Sequence, residues 1–272
     1  MNGNTNTPGT EKFTLFVAIW AVLLLLGTGS VHLFDWDEIN FAESAREMMV
    51  SGNYFRVQID YEAFWEKPPF FFWLQVLSMK LFGVSAFAAR LPNVVFGILT
   101  LLTVFHIGRY LHNQRFGVVW AAIYAGSLLP AVYFKSGIID PVFNFFIFTS
   151  IYFIILTLNA SRNRTAYALL AGVLNGLAVL TKGPVGFLLL LLSFLVYMIF
   201  KRFSIRPKWK EVGIFALAII AVSFLWYGVE LMRNGTWFFK HFLEYQMDLF
   251  NKSVAGHGQP FYYHFLVVFF GC

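Results

Sequence analysis

Asp37 and Glu38 stand side by side just past an apolar run that ends at Leu33. A carboxylate pair at the end of a membrane-length run suits a site that takes a proton or organises a cation. Asp35 with Glu38 three residues on also has the spacing of an N-cap and capping box, and acids in a first turn favour the helix dipole. Spacing alone leaves both readings open. Glu66-Lys67-Pro68-Pro69 presents a carboxylate and an ammonium on a stiff elbow, because each proline biases the residue before it toward extended structure. A lysine beside the aromatic run 70–73 is a natural binder of lipid phosphate; snorkelling or a plain ion pair is the commoner fate. Lys135 and Asp140 bracket Ser136-Gly137-Ile138-Ile139, and Asp140 ahead of Pro141 is equally an N-cap. Lys182 sits in a tight Gly-Pro turn between two apolar runs, and charges at membrane depth usually face a cavity or a ligand. His257, between Gly256 and Gly258, is a metal ligand, a phosphate donor or a plain loop histidine. No His/Cys set has metal-ligand spacing, and no Walker loop, dinucleotide fingerprint or G-x-S-x-G elbow is present.

The elements that must position these groups are membrane helices. Of 272 residues, 58% are apolar and 12% charged, against about 45–50% and about 25% in soluble domains. Mean hydropathy is +0.66. This excludes a disulfide scaffold, a disordered chain and an ordinary cytosolic enzyme; Cys272 alone can form no internal disulfide. The net charge of +6 is of the kind that basic loops of membrane proteins carry, and needs no nucleic acid to explain it.

A span needs about 20 apolar residues. Residues 13–33 meet this after a polar tail, 1–12, and read as a signal anchor. Further spans are expected at 91–108, 116–134, 141–158, 166–180, 185–200 and 212–231, which makes 91–232 a bundle of about six helices. Placing 68–89 at the interface puts Arg109, Arg115, Arg162, Arg164, Lys201, Arg202, Arg206, Lys208 and Lys210 on one side. The loop 34–90, which holds eight of the fourteen acids, then lies on the other. The positive-inside rule makes the basic side cytoplasmic and the acidic loop extracytoplasmic. Within that loop, Ile39, Ala42, Ala45 and Met49 recur at helical spacing before Gly52, the mark of a helix lying on the membrane. Residues 233–260 form a second outer loop, and 261–272 read as the start of a truncated span.

The motifs then carry a resemblance. Asp37-Glu38 with Phe41-Ala42-Glu43 and Ala45-Arg46-Glu47-Met48 resembles the opening motif of bacterial membrane glycosyltransferases. These form the family of the aminoarabinose lipid A transferases and the dolichyl-phosphate-mannose protein mannosyltransferases. Glu66-Lys67-Pro68-Pro69 with Trp73-Leu74-Gln75, Phe82-Gly83 with Ala89-Arg90-Leu91-Pro92, and Leu180-Thr181-Lys182-Gly183-Pro184 follow in the family's order. The resemblance implies an all-α polytopic membrane protein of GT-C type, with juxtamembrane helices in the first extracytoplasmic loop, in the cell (inner) membrane. It implies inverting transfer of a sugar from a polyprenyl-phosphate donor to a lipid (lipid A-like), glycan or protein acceptor. By the same token Asp37 is the catalytic carboxylate, with Glu38 beside it, Asp140 the second essential acid and Lys67 the donor-phosphate lysine. Glu66 stands where some members hold a divalent metal, with His257 as a further ligand; otherwise no cofactor is implied. Lys182, in the matching Leu180–Pro184 motif, is expected to serve as a second phosphate-binding cation. The sequence departs from the family at Glu244-Tyr245-Gln246 and Leu249-Phe250, where relatives carry Glu-His-Asn and Arg-Phe.

In such a reaction the leaving phosphate gains negative charge and the sugar positive charge. Lys67 and Lys182 would meet the first, Asp37 would orient or deprotonate an acceptor hydroxyl, and Asp140 would support the acceptor or oppose the sugar's charge. The competing class is a transporter or flippase of polyprenyl-linked lipids. Transporters usually show ionisable groups near mid-span or paired broken helices, and here the charges stand at the ends of the expected spans.

Overall fold

The computed structural model describes residues 8–34, 36–64, 66–204, 207–251, 260 and 262–271. Among them α1 spans Pro8–Leu25, α2 Trp36–Ser51, and a small hairpin of β1, Gln58–Ile59, and β2, Glu62–Ala63, precedes α3, Phe70–Phe82. The rest is helical: α4 Ala86–Leu111, α5 Gln114–Gly126, α6 Leu128–Phe134, α7 Asp140–Asn159, α8 Arg164–Lys182, α9 Val185–Phe200, α10 Trp209–Asn234, α11 Trp237–Asn251 and α12 Tyr263–Gly271. Helices α4, α7, α8 and α10 are long and apolar enough to cross a membrane, and α5 with α6 makes a fifth if the bent pair is one span. The chain is a membrane protein.

Three departures from the sequence reading have local causes. The first apolar run turns at Gly27, φ +74°, so α1 stops at Leu25 and residues 26–33 are not helical. The run 116–134 breaks by 71° at Ser127. The break puts Pro130 into the first turn of α6, where its missing N–H costs nothing, rather than into a helix interior. Residues 233–260 hold α11, whose Phe238 and Phe242 bury against Trp226 and Leu180. The hairpin was not foreseen either. Its two turn residues, Asp60 and Tyr61, both adopt positive φ (56° and 59°) without a glycine, and the Tyr61 N–H is held by the Glu47 carboxylate at 2.9 Å.

The chain divides into two compact units. One comprises Met1–Ile39, Ser78–Pro141 and Phe261–Cys272. Here α4 and α5 cross so closely that a Cβ on Gly117 would lie 2.5 Å from the Phe105 carbonyl oxygen. The Trp20 indole N–H, on α1, donates to Ala125 O at 3.2 Å. The other unit comprises Asn40–Leu77 and Val142–Pro260. Its spine is α8 on α10, where Gly172 and Gly176 let the helices touch: added Cβ atoms would meet Phe215 O at 2.5 Å and Val222 Cβ at 2.7 Å. Small residues four apart are a common device for packing membrane helices, since backbones can then approach.

Candidate active site

Helix α2 begins at Trp36 and carries Asp37 and Glu38 in its first turn. Asp37 is exposed, whereas Glu38 is 1% exposed. The face that α2 buries runs through Glu38, Phe41, Ala45 and Met48, while Ile39 stays 49% exposed. Ala42 and Ala45 of the expected stripe are buried as well, and the buried face is wider than that stripe because Glu38 and Glu47, each 1% exposed, join it. Asp35, the expected N-cap, lies outside the described residues.

What lets Glu38 go inside is Arg90, one turn into α4 and itself 2% exposed. The guanidinium grips the carboxylate with two hydrogen bonds, Nε to Oε1 at 2.7 Å and Nη2 to Oε2 at 2.8 Å. Its other N–H groups donate to the carbonyls of Thr28 (2.8 Å), Val31 (2.9 Å) and His32 (3.1 Å), on the chain leaving α1. All five guanidinium donors are used. Glu38 accepts two backbone N–H bonds besides, from Phe34 at 2.9 Å and from Gly137. Burial pushes the Glu38 carboxyl up. The Arg90 hydrogen bonds, the Phe34 and Gly137 N–H groups and the Arg90 charge outweigh burial and hold it below the ordinary glutamate value.

Gly137 lies three residues before Asp140, the first residue of α7. A Cβ at Gly137 would stand 3.2 Å from Glu38 Cγ, a tight contact that a side chain there would make only by pushing the carboxylate a few tenths of an ångström. The same loop is held a second time by Asn93, fully buried on α4, whose Nδ2 donates to Ser136 O and Ile138 O, each at 2.6 Å. Lys135 Nζ donates to Leu26 O at 3.0 Å. Asp37 thus follows from a backbone fixed at Glu38, and the half-buried Asp140 from a loop fixed at Ser136, Gly137 and Ile138. One clamp positions both acids' stations.

In the other unit, Pro68 and Pro69 are buried and Trp73 N–H closes the first turn of α3 on Pro69 O at 2.9 Å. The elbow leaves Lys67 half-buried, its Nζ 3.5 Å from Glu66 Oε2. Helix α8 ends at Lys182, and Gly183 caps it at φ +84° with its N–H on Val179 O at 2.8 Å. A side chain is barred at Gly183 twice over, by that φ and by Phe242 Cζ, 2.7 Å from where a Cβ would lie. The Lys182 ammonium stands 5.5 Å above the Phe143 ring centre, a cation–π distance that suits a charge kept from bulk water.

Glu66 already faces an ammonium, and among the described residues no three His, Cys, Asp or Glu side chains come together to hold an ion. His257 lies outside the described residues. Arg90 and Gly137 stand within the sequence motifs without a role of their own, and Asn93 is not singled out there. The signal for Arg90 and Asn93 was there: an arginine and an asparagine three residues apart at the head of a long, largely apolar helix, where polar groups need partners.

Three comparisons bear on this arrangement. The family model described as dolichyl-phosphate-mannose-protein mannosyltransferase matches residues 66–227. The undecaprenyl phosphate-alpha-4-amino-4-deoxy-L-arabinose arabinosyl transferase of Pectobacterium atrosepticum is 28% identical over 267 residues, which are 94% of this chain and 47% of the relative. The chain spans somewhat under half the length of such curated relatives. Among solved structures, ArnT from Cupriavidus metallidurans in the apo state superposes with a TM-score of 0.83 at 22% identity, covering 97% of this chain and 49% of that one. The same protein bound to undecaprenyl phosphate gives 0.76 at 24% identity, covering 96% and 48%. These likenesses show the fold: an all-α polytopic bundle of GT-C type.

Proposed function

The chain belongs to the dolichyl-phosphate-mannose-protein mannosyltransferase family, and from that premise we propose that it acts as an inverting membrane glycosyltransferase. Its donor is a polyprenyl-phosphate sugar, its acceptor a lipid, glycan or protein, and its active site faces away from the basic loops, on the extracytoplasmic side of the inner membrane. The observation that carries the reading is the clamp of Glu38, Arg90 and Gly137, which ties the Asp37 motif to the Asp140 loop. Replacing such a buried ion pair by apolar residues is often neutral or stabilising, and in this reading the bundle keeps it for the register it imposes rather than for stability. The relatives named above are transferases, which gives the transporter reading no support.

In this reading each group has one task. Lys67, half-buried and therefore poorly screened, neutralises the charge that builds on the leaving phosphate. Lys182 adds a second positive charge for the same anion. Asp37, exposed at the start of α2, orients an acceptor hydroxyl and takes its proton as the bond to the sugar forms. Where the acceptor is itself a phosphate, Asp37 only positions it. Asp140 opposes the positive charge on the sugar. Glu38, buried and fully bonded, is a positioning residue, not the acid or base itself.

The test is direct. The purified protein, in detergent, is incubated with a membrane lipid extract, and polyprenyl-phosphate sugars are followed by mass spectrometry beside Asp37→Asn. Consumption of one donor with a new sugar-bearing product is expected, slowed by about 10²–10⁴ in the variant, the usual worth of a positioned base. Equal turnover by the variant overturns the assignment.

A further inference from the structure

We propose that the unit holding α1, α4 and α5 carries a binding site for one anionic glycerophospholipid, in the groove where α1 and α5 begin. The groove encloses about 940 Å³. Well along both helices, the Trp20 indole of α1 bonds to Ala125 O of α5 at 3.2 Å, so the two run in the same direction from a shared end. At that end Lys12 lines the groove from α1, and Arg115 with Asn113 and Gln114 lines it from the start of α5. Beyond them the lining is apolar: Phe13 and Phe16 on α1, Val118 and Ala122 on α5. Stacking on Phe105 of α4, with ring centres 3.6 Å apart, fixes Phe13 in the wall. From Arg115 to Ala122 the helix rises about 10 Å. The groove is therefore charged at the helix ends and apolar from there inward, the layout of an amphiphile.

The charge at its mouth has one sign. Lys12 and Arg115 are exposed and line the groove themselves, and among the described residues no carboxylate lines it. Neither of the two is at ion-pair distance from a carboxylate among the described residues, whereas Arg46, Lys67, Arg90 and Arg164 each face one. Asn113 accepts the Phe116 N–H on its Oδ1 at 3.0 Å, which leaves its amide hydrogens as donors. Arg109, in the last turn of α4, adds a further positive charge on the same short connection. Basic pockets between membrane helices are a recurrent form of anionic-lipid site. Here the phosphodiester meets the two cations, and an acyl chain covers the apolar floor that a soluble anion would leave bare. A choline headgroup offers the same phosphate but brings its own cation beside Lys12 and Arg115. The geometry therefore selects phosphatidylglycerol over phosphatidylcholine.

The experiment is native mass spectrometry of the purified chain, delipidated and then offered phosphatidylglycerol and phosphatidylcholine of identical acyl chains. One retained phosphatidylglycerol per chain is expected, preferred by about fivefold to twenty-five-fold, a factor of about five for each basic group engaged. Lys12→Gln combined with Arg115→Gln should bring the two lipids to parity; both side chains are exposed, so the parent's melting temperature should be kept. Lys201→Gln combined with Lys210→Gln removes the same charge from exposed positions in the other unit and should leave the preference intact. Ala122→Phe, at an exposed position on the apolar floor, should cut retention of phosphatidylglycerol. Inorganic phosphate should not displace the lipid. Equal retention by the parent chain overturns the proposal, as does a preference that survives the loss of Lys12 and Arg115. An equal loss in the Lys201 and Lys210 variant would put the preference down to overall charge and overturn it too. Displacement by phosphate would assign the cations to a soluble anion, and unchanged retention in Ala122→Phe would remove the groove from the site; either result sinks the proposal.

Discussion

Two arginine–glutamate pairs in this molecule are made of the same groups and finished differently. In Arg90–Glu38 the fork closes on the carboxylate, three carbonyls take the remaining guanidinium donors, and two backbone N–H groups complete the glutamate. In Arg164–Glu211 the charges meet at 3.1 Å without an aligned hydrogen bond, and a buried guanidinium nitrogen is left over. Burial makes each unmet donor expensive and each met one rigid. The closed pair is thus a joint that holds its neighbours, and the open one fixes less around it. Residue type does not distinguish the two; the count of satisfied donors does.

The sharpest way to break the comparison is Arg90→Met. It strands a buried carboxylate and three carbonyls, and losing one partner of a buried pair costs about 3–5 kcal/mol. A large fall in melting temperature by tryptophan fluorescence in detergent is expected, together with loss of transfer. The double variant Glu38→Met with Arg90→Met tests what the pair is for, since apolar replacement of a whole buried pair is often neutral for stability. If the pair is a joint, the double variant recovers its melting temperature and not its turnover. Recovery of both would reduce the clamp to core filling.

Asn93→Leu is the next step down. It removes two 2.6 Å bonds and leaves the buried loop carbonyls of Ser136 and Ile138 without this donor, at about 1–3 kcal/mol. The Asp140 loop loosens while the Arg90–Glu38 grip stays. Turnover should therefore fall more than donor affinity does. A change in KM alone would show that the loop serves donor binding instead.

These residues also mark how far the sequence could be read. Composition and run length are enough to establish a helical membrane protein, because burying apolar surface in lipid leaves few alternatives. The four motifs in order identified the family's fold. Neither could foresee that Glu38 and Arg90 bond to each other, since a pairing across fifty-two residues is a tertiary fact with no periodicity. The same limit explains the helix boundaries. Gly27 and Pro130 were visible, but that Gly27 would end α1 and hand its following carbonyls to Arg90 depends on what stands opposite. The hairpin turn through Asp60 and Tyr61 was hidden for a different reason. It uses left-handed backbone where no glycine advertises it, secured by Glu47 from another element.

Acid tests the closed pair without a change of sequence. The Glu38 carboxyl is held below its ordinary value of 4.5 because the Arg90 and backbone hydrogen bonds outweigh burial. A depressed carboxyl contributes stability that is fully present above its unfolded value and is lost as pH falls through its folded one. The protein should therefore lose stability as the pH drops below about 4.5. The slope should be shallower in Glu38→Gln, which has no proton to take up at this position. Identical acid limbs in the two proteins would mean that the pair does not carry the linkage.

The smallest effect comes from a third pair, on the same helix as Glu38. Arg46 Nε donates to Glu43 Oε2 at 2.9 Å, and Nη2 grips the other oxygen, a fork as well formed as that of Arg90. The Glu43 carboxyl too is held below its ordinary value, first by the Arg46 hydrogen bonds. Yet the two side chains are 35% and 36% exposed, so water competes for each donor and exposed pairs contribute only about 0–1 kcal/mol. Glu43→Gln should therefore shift the melting temperature slightly, and 0.5 M salt should remove most of the difference. Arg90→Met should keep its effect in the same salt, because counterions do not reach a pair that is 1–2% exposed. A salt-insensitive, several-kcal/mol loss in Glu43→Gln would mean that fork geometry alone sets the strength of these pairs. The expected contrast would mean instead that burial and completed donors do, and that Glu38 and Glu43, five residues apart with the same partner type, differ only in what surrounds them.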